Sequence, residues 1–461
     1  LHCFIFKRII QILKLPLKLK FLNRVYNKIF VTDIIEKLRM TDFLQLRVLT
    51  LNCWGIPLPF PFGSADRKVR IEEIAKELAT GKYDIVSLQE IWSENDFDMI
   101  HNAVRLVMPY SFYFHNGYAG SGVCVFSKGI ILETLMHRYS LNGYVHHIHR
   151  GDWFGGKMVG LCRIQFSGIN INVYATHIHA EYNHDEDVYL AHRVVQAFEL
   201  GQFMRNTMQN CEMSILMGDL NLRPTDLGYD LIRHSASLKD AWLERSDDYS
   251  PDGSCKQGLT CDLKDNCYTK ASSSSSGKRI DYIFYWYEKR TLKVAVDKCF
   301  PTLCRIPNKP NLCYSDHSAV YASLNIARNG ERIEESNNRE VYEHLINFAN
   351  QLRYILPVVE SGLQKVKQNK AYFLFRLFFS LALYIWTVDV ELHWPGITLP
   401  IIIFRFLLTL SIGFFFWYGL VCLSSEEKAL KMTISSMHIQ LERFSCYNFF
   451  TKRKKRQISA V

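Results

Sequence analysis

Two periods of hydrophobic and polar residues alternate along the chain. Leu46-Arg47-Val48-Leu49-Thr50-Leu51-Asn52 begins as an alternating strand, turns apolar, and stops on an asparagine before a Pro-rich loop, Pro57 to Pro61. Arg67 to Leu78 carries Val69, Ile71, Ile74, Ala75 and Leu78 on one helical stripe that ends at Gly81. Tyr83 to Glu90 is a buried strand whose last residue is a carboxylate, and Ser121 to Lys128 is another, entered through glycine. Ile169 to Thr176 has apolar residues at odd positions, which puts His177 on the core face. Val188 to Phe203 reads as a helix returning to the apolar run Ile215-Leu216-Met217-Gly218-Asp219-Leu220-Asn221-Leu222-Arg223. Extended geometry predicts that Asp219 and Asn221, two apart, project the same way; the alternative is an Asx turn closing the strand. Ile280 to Trp286 presents Asp281, and Ser315-Asp316-His317-Ser318 precedes the last apolar strand.

A different pattern follows. Ile333 to Lys370 is charged, with helical apolar spacing at Val341, Leu345, Phe348 and Leu352, as in a juxtamembrane helix. Ala371 to Val388 and Ile397 to Leu423 are long enough to cross or nearly cross a bilayer of about 30 Å, joined by Asp389 to Gly396. Arg376 and Arg405 interrupt them near their ends, where each side chain is expected to snorkel. The expected divisions are an extension over 1–45, a catalytic domain over 46–328, a charged helical segment over 329–370, a hairpin over 371–423 and a basic tail over 424–461. The tail's Lys452 to Arg456 suits either anionic lipid or water.

With 461 residues, 48% of them hydrophobic, the chain can hold one large or two ordinary domains. The net charge of +10 is concentrated: residues 1 to 39 hold nine Lys or Arg against Asp33 and Glu36, a surplus of +7. The body is therefore near neutral, which argues against a nucleic-acid face. Lysines and Pro16 break the opening stretch, so it does not read as a secretory signal; a start at Met40 is expected, with a basic membrane-surface helix as the alternative. Thirteen cysteines without a Cys-x-x-Cys pair favour free thiols in a reducing compartment. Cys255, Cys261 and Cys267 recur every six residues but have no histidine at ligand spacing, and read as a surface loop.

Several strand ends carry chemistry. Glu90 suits a hard cation such as Mg²⁺, which takes oxygen ligands, with Asn52 and Asp316 as further metal candidates. Asp219 and Asn221 can position a water or a phosphate oxygen. His177 reaches a phosphate oxygen if it is not core scaffolding. His317 with Asp281 supplies an imidazole and an orienting acid, the parts of a general base. His149 to Lys157 combines charge, two aromatics and glycines, and Asp152, Trp153 and Lys157 are its candidates for headgroup contact. His146 and His147 read as ordinary surface histidines. Ser276-Gly277-Lys278 lacks the first glycine of a phosphate loop and has Arg279 where a hydroxyl belongs, so a flexible polar loop is expected.

The ordered set Asn52, Glu90, His177, Asp219-x-Asn221, Asp281 and Asp316-His317 resembles the endonuclease/exonuclease/phosphatase superfamily. Within it, Leu51-Asn52-Cys53-Trp54-Gly55-Ile56-Pro57, Gly151-Asp152-Trp153-Phe154 with Lys157, and Thr176-His177-Ile178-His179-Ala180-Glu181-Tyr182 resemble the neutral sphingomyelinases. The resemblance implies an α/β, DNase I-like four-layer sandwich of two packed β-sheets flanked by helices, here followed by a two-helix transmembrane hairpin. It implies Mg²⁺-dependent, phospholipase C-type cleavage of sphingomyelin in a bilayer to ceramide and phosphocholine. Glu90 would bind the metal with Asn52 nearby, His317 would be the base oriented by Asp281, Asp219 and Asn221 would position nucleophile and phosphate, and His177 would donate to a phosphoryl oxygen.

The hairpin loop holds Asp389 and Glu391, while Lys365, Lys367, Lys370, Lys428 and Lys431 flank the spans, which places the catalytic domain in the cytosol. The resemblance points to the endoplasmic reticulum. Other readings are a relative acting on a lysophospholipid, inositol phosphosphingolipid or phosphoinositide, a nuclease, and an inactive membrane scaffold. A phosphoinositide phosphatase should show Cys-Asp-Arg where Lys278 to Tyr282 stands, and a scaffold should have lost some polar strand ends.

Overall fold

The computed structural model describes residues 43–458 apart from 60–61, 148–149, 210, 247–257, 270–276, 330–336, 394–395 and 397. The basic stretch before Met40, Cys255 and the Ser272 to Ser276 loop lie outside the described residues.

Two six-stranded sheets form the body. The first has the order β11-β12-β1-β2-β4-β3, from β1 (Leu44–Asn52), β2 (Ile85–Gln89), β3 (Tyr110–Tyr113), β4 (Cys124–Ser127), β11 (Leu292–Thr302) and β12 (Ala319–Arg328). The second runs β5-β6-β7-β8-β10-β9, from β5 (Ile130–Arg138), β6 (Met158–Phe166), β7 (Ile169–His177), β8 (Met213–Asp219), β9 (Lys239–Asp240) and β10 (Asp281–Tyr287). Sequence periodicity predicts the central strands closely because their side chains are buried on both faces. The inner faces meet in one core, where Leu46, Val48 and Ile85 pack with Ile171, Val173 and Ile215. Each such fully buried aliphatic side chain contributes about 1.5–3 kcal/mol.

Helices cover both outer faces. On the first sheet lie α1 (Arg67–Leu78) and α2 (Glu94–Val104); the predicted stripe Ile71, Ile74, Ala75 and Leu78 is the buried face of α1. On the second lie α3 (Leu190–Thr207) and α4 (Leu227–Ser235).

The C-terminal quarter is an all-helical arm. The charged segment and the first apolar stretch are one helix, α5 (Asn337–His393), followed by α6 (Thr398–Phe416), a π-helical stretch (Trp417–Cys422) and α7 (Leu423–Ile458). Two stretches, Glu343–Val390 and Thr398–Phe444, are long and apolar enough to cross a membrane. Phe348, Leu352, Ile355 and Val359 of α5 and Leu430 and Met437 of α7 join the core beneath α3 and α4, so the base of the hairpin packs directly on the catalytic domain. Arg405 does not rely on snorkelling alone: its Nε and Nη2 donate to Thr387 Oγ1 and the Thr387 carbonyl, each at 2.9 Å, across the hairpin. Inside an apolar layer a guanidinium paired with a hydroxyl and a carbonyl costs far less than a bare one.

Candidate active site

Strand register assembles the site. In the second sheet His177 is paired with Asp219 across parallel β7 and β8, and Asp219 with Asp281 across antiparallel β8 and β10, so three polar strand ends stand in a row. The first sheet brings Asn52 beside Gln89 at the ends of β1 and β2, with Glu90 one residue further on. His317 enters just before β12, where a bridge to Cys261 holds its backbone.

Glu90 and Asn221 are not in extended geometry. Their φ angles are +58° and +48°, and that of Trp54 is +46°. Left-handed backbone at non-glycine residues is costly and persists where surroundings over-determine it, so three such residues at one site mark it as functional. Gly55 supports Glu90: its N–H donates to the Glu90 carbonyl at 2.9 Å, and a Cβ at 55 would meet that oxygen at 2.4 Å. The expectation that Asp219 and Asn221 project in parallel is corrected by an Asx turn, in which Asn221 N–H donates to Asp219 Oδ1 at 2.9 Å. Asn221 Nδ2 then donates to the Ile178 carbonyl, also at 2.9 Å, and both residues still line the cleft. Turn and site are the same structure.

The cleft encloses about 490 Å³ and is walled by Asn52, Glu90, Asp152, Lys157, His177, Asp219, Asn221 and His317, with Trp92, Phe154 and Tyr182 as aromatic lining. His317 Nδ1 lies 2.9 Å from Asp281 Oδ2, the arrangement of an oriented general base. Burial opposes protonation of His317, whereas the facing Cys261 and Asp281 favour it, and its pKa is well above the usual histidine range. Because burial also pushes the Cys261 thiol up, keeping it neutral, the Asp281 carboxylate is the group that holds the imidazolium.

On the opposite wall Lys157 Nζ, 1% exposed, donates to His177 Nε2 at 2.7 Å and lies 3.0 Å from Asp152 Oδ1. Asp152 is occupied: Tyr182 O–H and Ala180 N–H donate to its Oδ2 at 2.8 and 3.2 Å. Burial would raise the Asp152 pKa, but Lys157 and the neighbouring histidines hold it well below the carboxylate range. Asp152 thus anchors Lys157, and Lys157 is the cation on the cleft wall. Trp153 is not in that wall; its Nε1 is buried without a partner among the described residues, and its neighbour Phe154 takes the lining position.

The donor set fits a cation. Asp219, Asp281 and His317 offer ligand atoms within 4.8 Å of one another, all buried, and among the described residues Asp281 Oδ1 has no hydrogen-bond partner. Burial raises Asp219 to about 7, aided by Asp281, and raises Glu90, aided by Asp316. Several buried carboxylates with too few protons or cations between them are what a hard divalent ion relieves. Asn52, expected at the metal, lies between the carboxylates: Nδ2 donates to Glu90 Oε1 and to Asp219 Oδ2, both at 3.0 Å, while Oδ1 accepts from Trp54 N–H. It spaces the two carboxylates. Asp316 accepts from Ser315 Oγ at 3.1 Å and acts on Glu90 through its charge.

Sequence reading missed Trp92 and did not single out Tyr182. Trp92 lies two residues after Glu90 in a stretch with no periodic signal; Tyr182 is a wall residue only because its hydroxyl reaches Asp152 across thirty positions. His146 and His147 are not ordinary surface residues: His146 Nδ1 lies 2.5 Å from the Tyr418 hydroxyl, and His147 is bonded to the Tyr189 hydroxyl. Their polar spelling hid a helix that packs over them.

The profile of the endonuclease/exonuclease/phosphatase family matches residues 49–317. A Caenorhabditis elegans protein assigned as a neutral sphingomyelinase is 41% identical over 398 residues, covering 84% of this chain and 89% of that one. Human sphingomyelin phosphodiesterase 2 is 40% identical over 285 residues, 61% of this chain and 64% of its own length, so the chain spans just under two thirds of that relative. An inositol phosphosphingolipids phospholipase C of Schizosaccharomyces pombe is 35% identical over 61% of this chain and 69% of that one. Among solved structures, SmcL superposes with a TM-score of 0.46 at 18% identity, covering 61% of this chain and 99% of that one. On the match over residues 49–317 and the identity shared with the nematode protein along most of both chains, this chain belongs to the endonuclease/exonuclease/phosphatase family and, within it, to the neutral sphingomyelinases.

Proposed function

We propose that the chain is a Mg²⁺-dependent neutral sphingomyelinase that cleaves sphingomyelin to ceramide and phosphocholine. The observation that carries the reading is a buried His317–Asp281 pair facing the Lys157–His177 pair across one cleft, in a domain packed on an apolar hairpin. The names of the relatives supply the lipid, and the oxygen-rich carboxylate set supplies the preference for Mg²⁺ over softer ions.

Glu90 and Asp219, held apart by Asn52, are the residues that would hold the ion, with Asp316 reinforcing the negative field. When bound, Mg²⁺ supplies Lewis-acid stabilisation of charge on phosphate and leaving alkoxide. Positive charge held by the neighbouring carboxylates would oppose the raised basicity of His317 and favour its neutral form, which takes a proton from water as the water oxygen attacks phosphorus, and Asp281 stabilises the imidazolium that results. The bond from phosphorus to the ceramide oxygen breaks, the departing alkoxide takes a proton from solvent, and the His317 imidazolium returns its proton to solvent to close the cycle. Asn221 and Asp219 orient water and phosphate. Lys157 is the ready cation for the phosphoryl oxygens, and His177, which accepts from it, holds it in place.

The hairpin is read as two membrane spans with the catalytic domain in the cytosol, in an internal membrane such as the endoplasmic reticulum. Substrate then arrives by diffusion in the plane. Phosphocholine release from sphingomyelin micelles, with and without Mg²⁺, in parent and His317→Ala, tests the reading, with phosphatidylcholine and plasmid DNA as parallel substrates. Mg²⁺-dependent release that falls at least about 10²-fold in the variant supports it. Nicked DNA, or release from another lipid alone, replaces the substrate assignment.

A further inference from the structure

Four large apolar or aromatic side chains ring the mouth of the cleft and face water. Leu58 is 56% exposed, Phe62 80%, Tyr118 100% and Phe154 41%. Single exposed apolar residues are ordinary on a protein surface, but these four come from three loops that converge on one opening. Leu58 and Phe154 line the cleft themselves, and so does Ala119, next to Tyr118. Phe62 sits on the same tight turn as Leu58, closed by hydrogen bonds from the Phe62 and Gly63 N–H groups to the Pro59 carbonyl at 3.0 Å. Gly117 and Gly156 are in near contact, which locks the Tyr118 loop to the Phe154 loop.

A series of ring contacts connects the cleft wall to the start of the hairpin's apolar course. Phe373, in the first apolar stretch, has its ring centroid 5.7 Å from that of His146. Arg150, four residues on in sequence, has its guanidinium 4.2 Å over the Tyr182 ring in the cleft wall, and Phe154 lines the cleft. Tyr144 and Tyr189 (5.2 Å), then Tyr189 and Tyr182 (5.7 Å), complete an aromatic path from hairpin base to cleft. Because α5 is one helix from the catalytic domain into the apolar stretch, and its base is packed in the core, the domain has little freedom to tilt relative to the hairpin.

We propose that Leu58, Phe62, Tyr118 and Phe154 form a rim that inserts into the interfacial layer of the bilayer holding the hairpin, a second membrane contact beside the two spans. The inference rests on the reading that the substrate is a membrane lipid. A cleft of about 490 Å³ has room for a headgroup and not for two long acyl chains, so the chains must stay in the bilayer while the phosphodiester reaches His317. An apolar rim seals the bilayer surface against the cleft, excludes water along the path, and shortens the distance a lipid must rise. Tyr118 suits that depth, with an apolar ring and a hydroxyl that stays hydrated, while Leu58, Phe62 and Phe154 supply apolar area.

The test uses the full chain in phosphatidylcholine vesicles free of sphingomyelin. Phe62→Trp and Tyr118→Trp are made singly, and quenching by brominated phosphatidylcholine is measured against the parent, whose own eight tryptophans set the baseline. The expected result is added emission that is blue-shifted and quenched by the brominated lipid; added emission of a water-exposed indole with no extra quenching overturns the rim. In a second arm, Phe62→Ser with Tyr118→Ser should lower phosphocholine release from vesicular sphingomyelin about tenfold or more and leave release from detergent-dispersed short-chain substrate at the parent rate. Equal loss in both media, or loss in neither, overturns the proposal. A change of oligomeric state in the double variant without lipid quenching assigns the rim to contact with a second copy and likewise overturns it. Absence of phosphocholine release from the parent defeats the substrate reading and leaves the quenching arm to judge the rim.

Discussion

Lys157 Nζ lies 2.7 Å from His177 Nε2 and 3.0 Å from Asp152 Oδ1, so one buried ammonium is held between an imidazole and a carboxylate that Tyr182 and Ala180 fix in turn. A donor at Nε2 makes that nitrogen an acceptor, and burial, reinforced by Lys157, holds the His177 pKa well below the usual range. Lys157→Met removes the cation while keeping the stem. The expected outcome is a fall in kcat of about 10²-fold or more together with a lowered thermal midpoint, because Asp152 is left buried without its cation, read by steady-state kinetics and a melting curve. A kcat within a factor of three of the parent contradicts a role at the phosphate.

Asp281→Asn tests the base. Its Oδ2 accepts from His317 Nδ1, and an amide there permits the wrong tautomer. Loss of about 10³-fold in kcat at nearly unchanged KM is expected, on the scale of orienting-acid removal in other hydrolases. A variant that loses substrate affinity instead places Asp281 in binding.

Gly218→Ala tests the register that lines up His177, Asp219 and Asp281. Gly218 has φ +153°, and a Cβ there would lie 2.0 Å from the Thr176 carbonyl oxygen of the neighbouring strand. That oxygen is backbone and cannot step aside. Destabilisation of about 2 kcal/mol or more, a fall in thermal midpoint on the order of 5 °C, is expected by differential scanning fluorimetry.

Acid should loosen the contact between catalytic domain and hairpin base. His146 meets the Tyr418 hydroxyl and is faced by His147, Lys365, Tyr144 and Phe373. Burial, then the charges of His147 and Lys365, lower its pKa to about 4. A base whose folded pKa is depressed stabilises the fold fully above its unfolded value near 6.5, and that contribution fades as pH falls toward 4. The thermal midpoint should therefore drop between pH 6.5 and 4 by less in His146→Gln than in the parent. Identical pH profiles in the two proteins contradict the assignment.

Much of this molecule is written locally. The stripe of α1, the alternation of β7, and the apolar run of β8 ending on Asp219 each follow from burial of one face or two, a property of a few consecutive residues. The apolar length of the two C-terminal stretches is local in the same sense. The polar residues at the strand ends were visible for that reason: a strand that must be buried cannot end on Asn52, Asp219 or His177 without something to meet them.

What those residues meet is not local. Whether Asn52 offers oxygen or nitrogen to the carboxylates is decided by Trp54 N–H, which takes the oxygen. The bend that turns Asn221 out of line with Asp219 depends on a carbonyl from Ile178. The donation of Lys157 to His177, the place of Tyr182 in the wall, and the packing of α5 and the π-helical stretch over His146 all join elements separated by tens to hundreds of residues. The sequence by itself determined the strands, the helices and the chemistry they carry, because periodic burial is a short-range demand. Only the tertiary structure decided which donor faces which acceptor, because hydrogen-bond geometry and desolvation depend on atoms that chain order does not bring together.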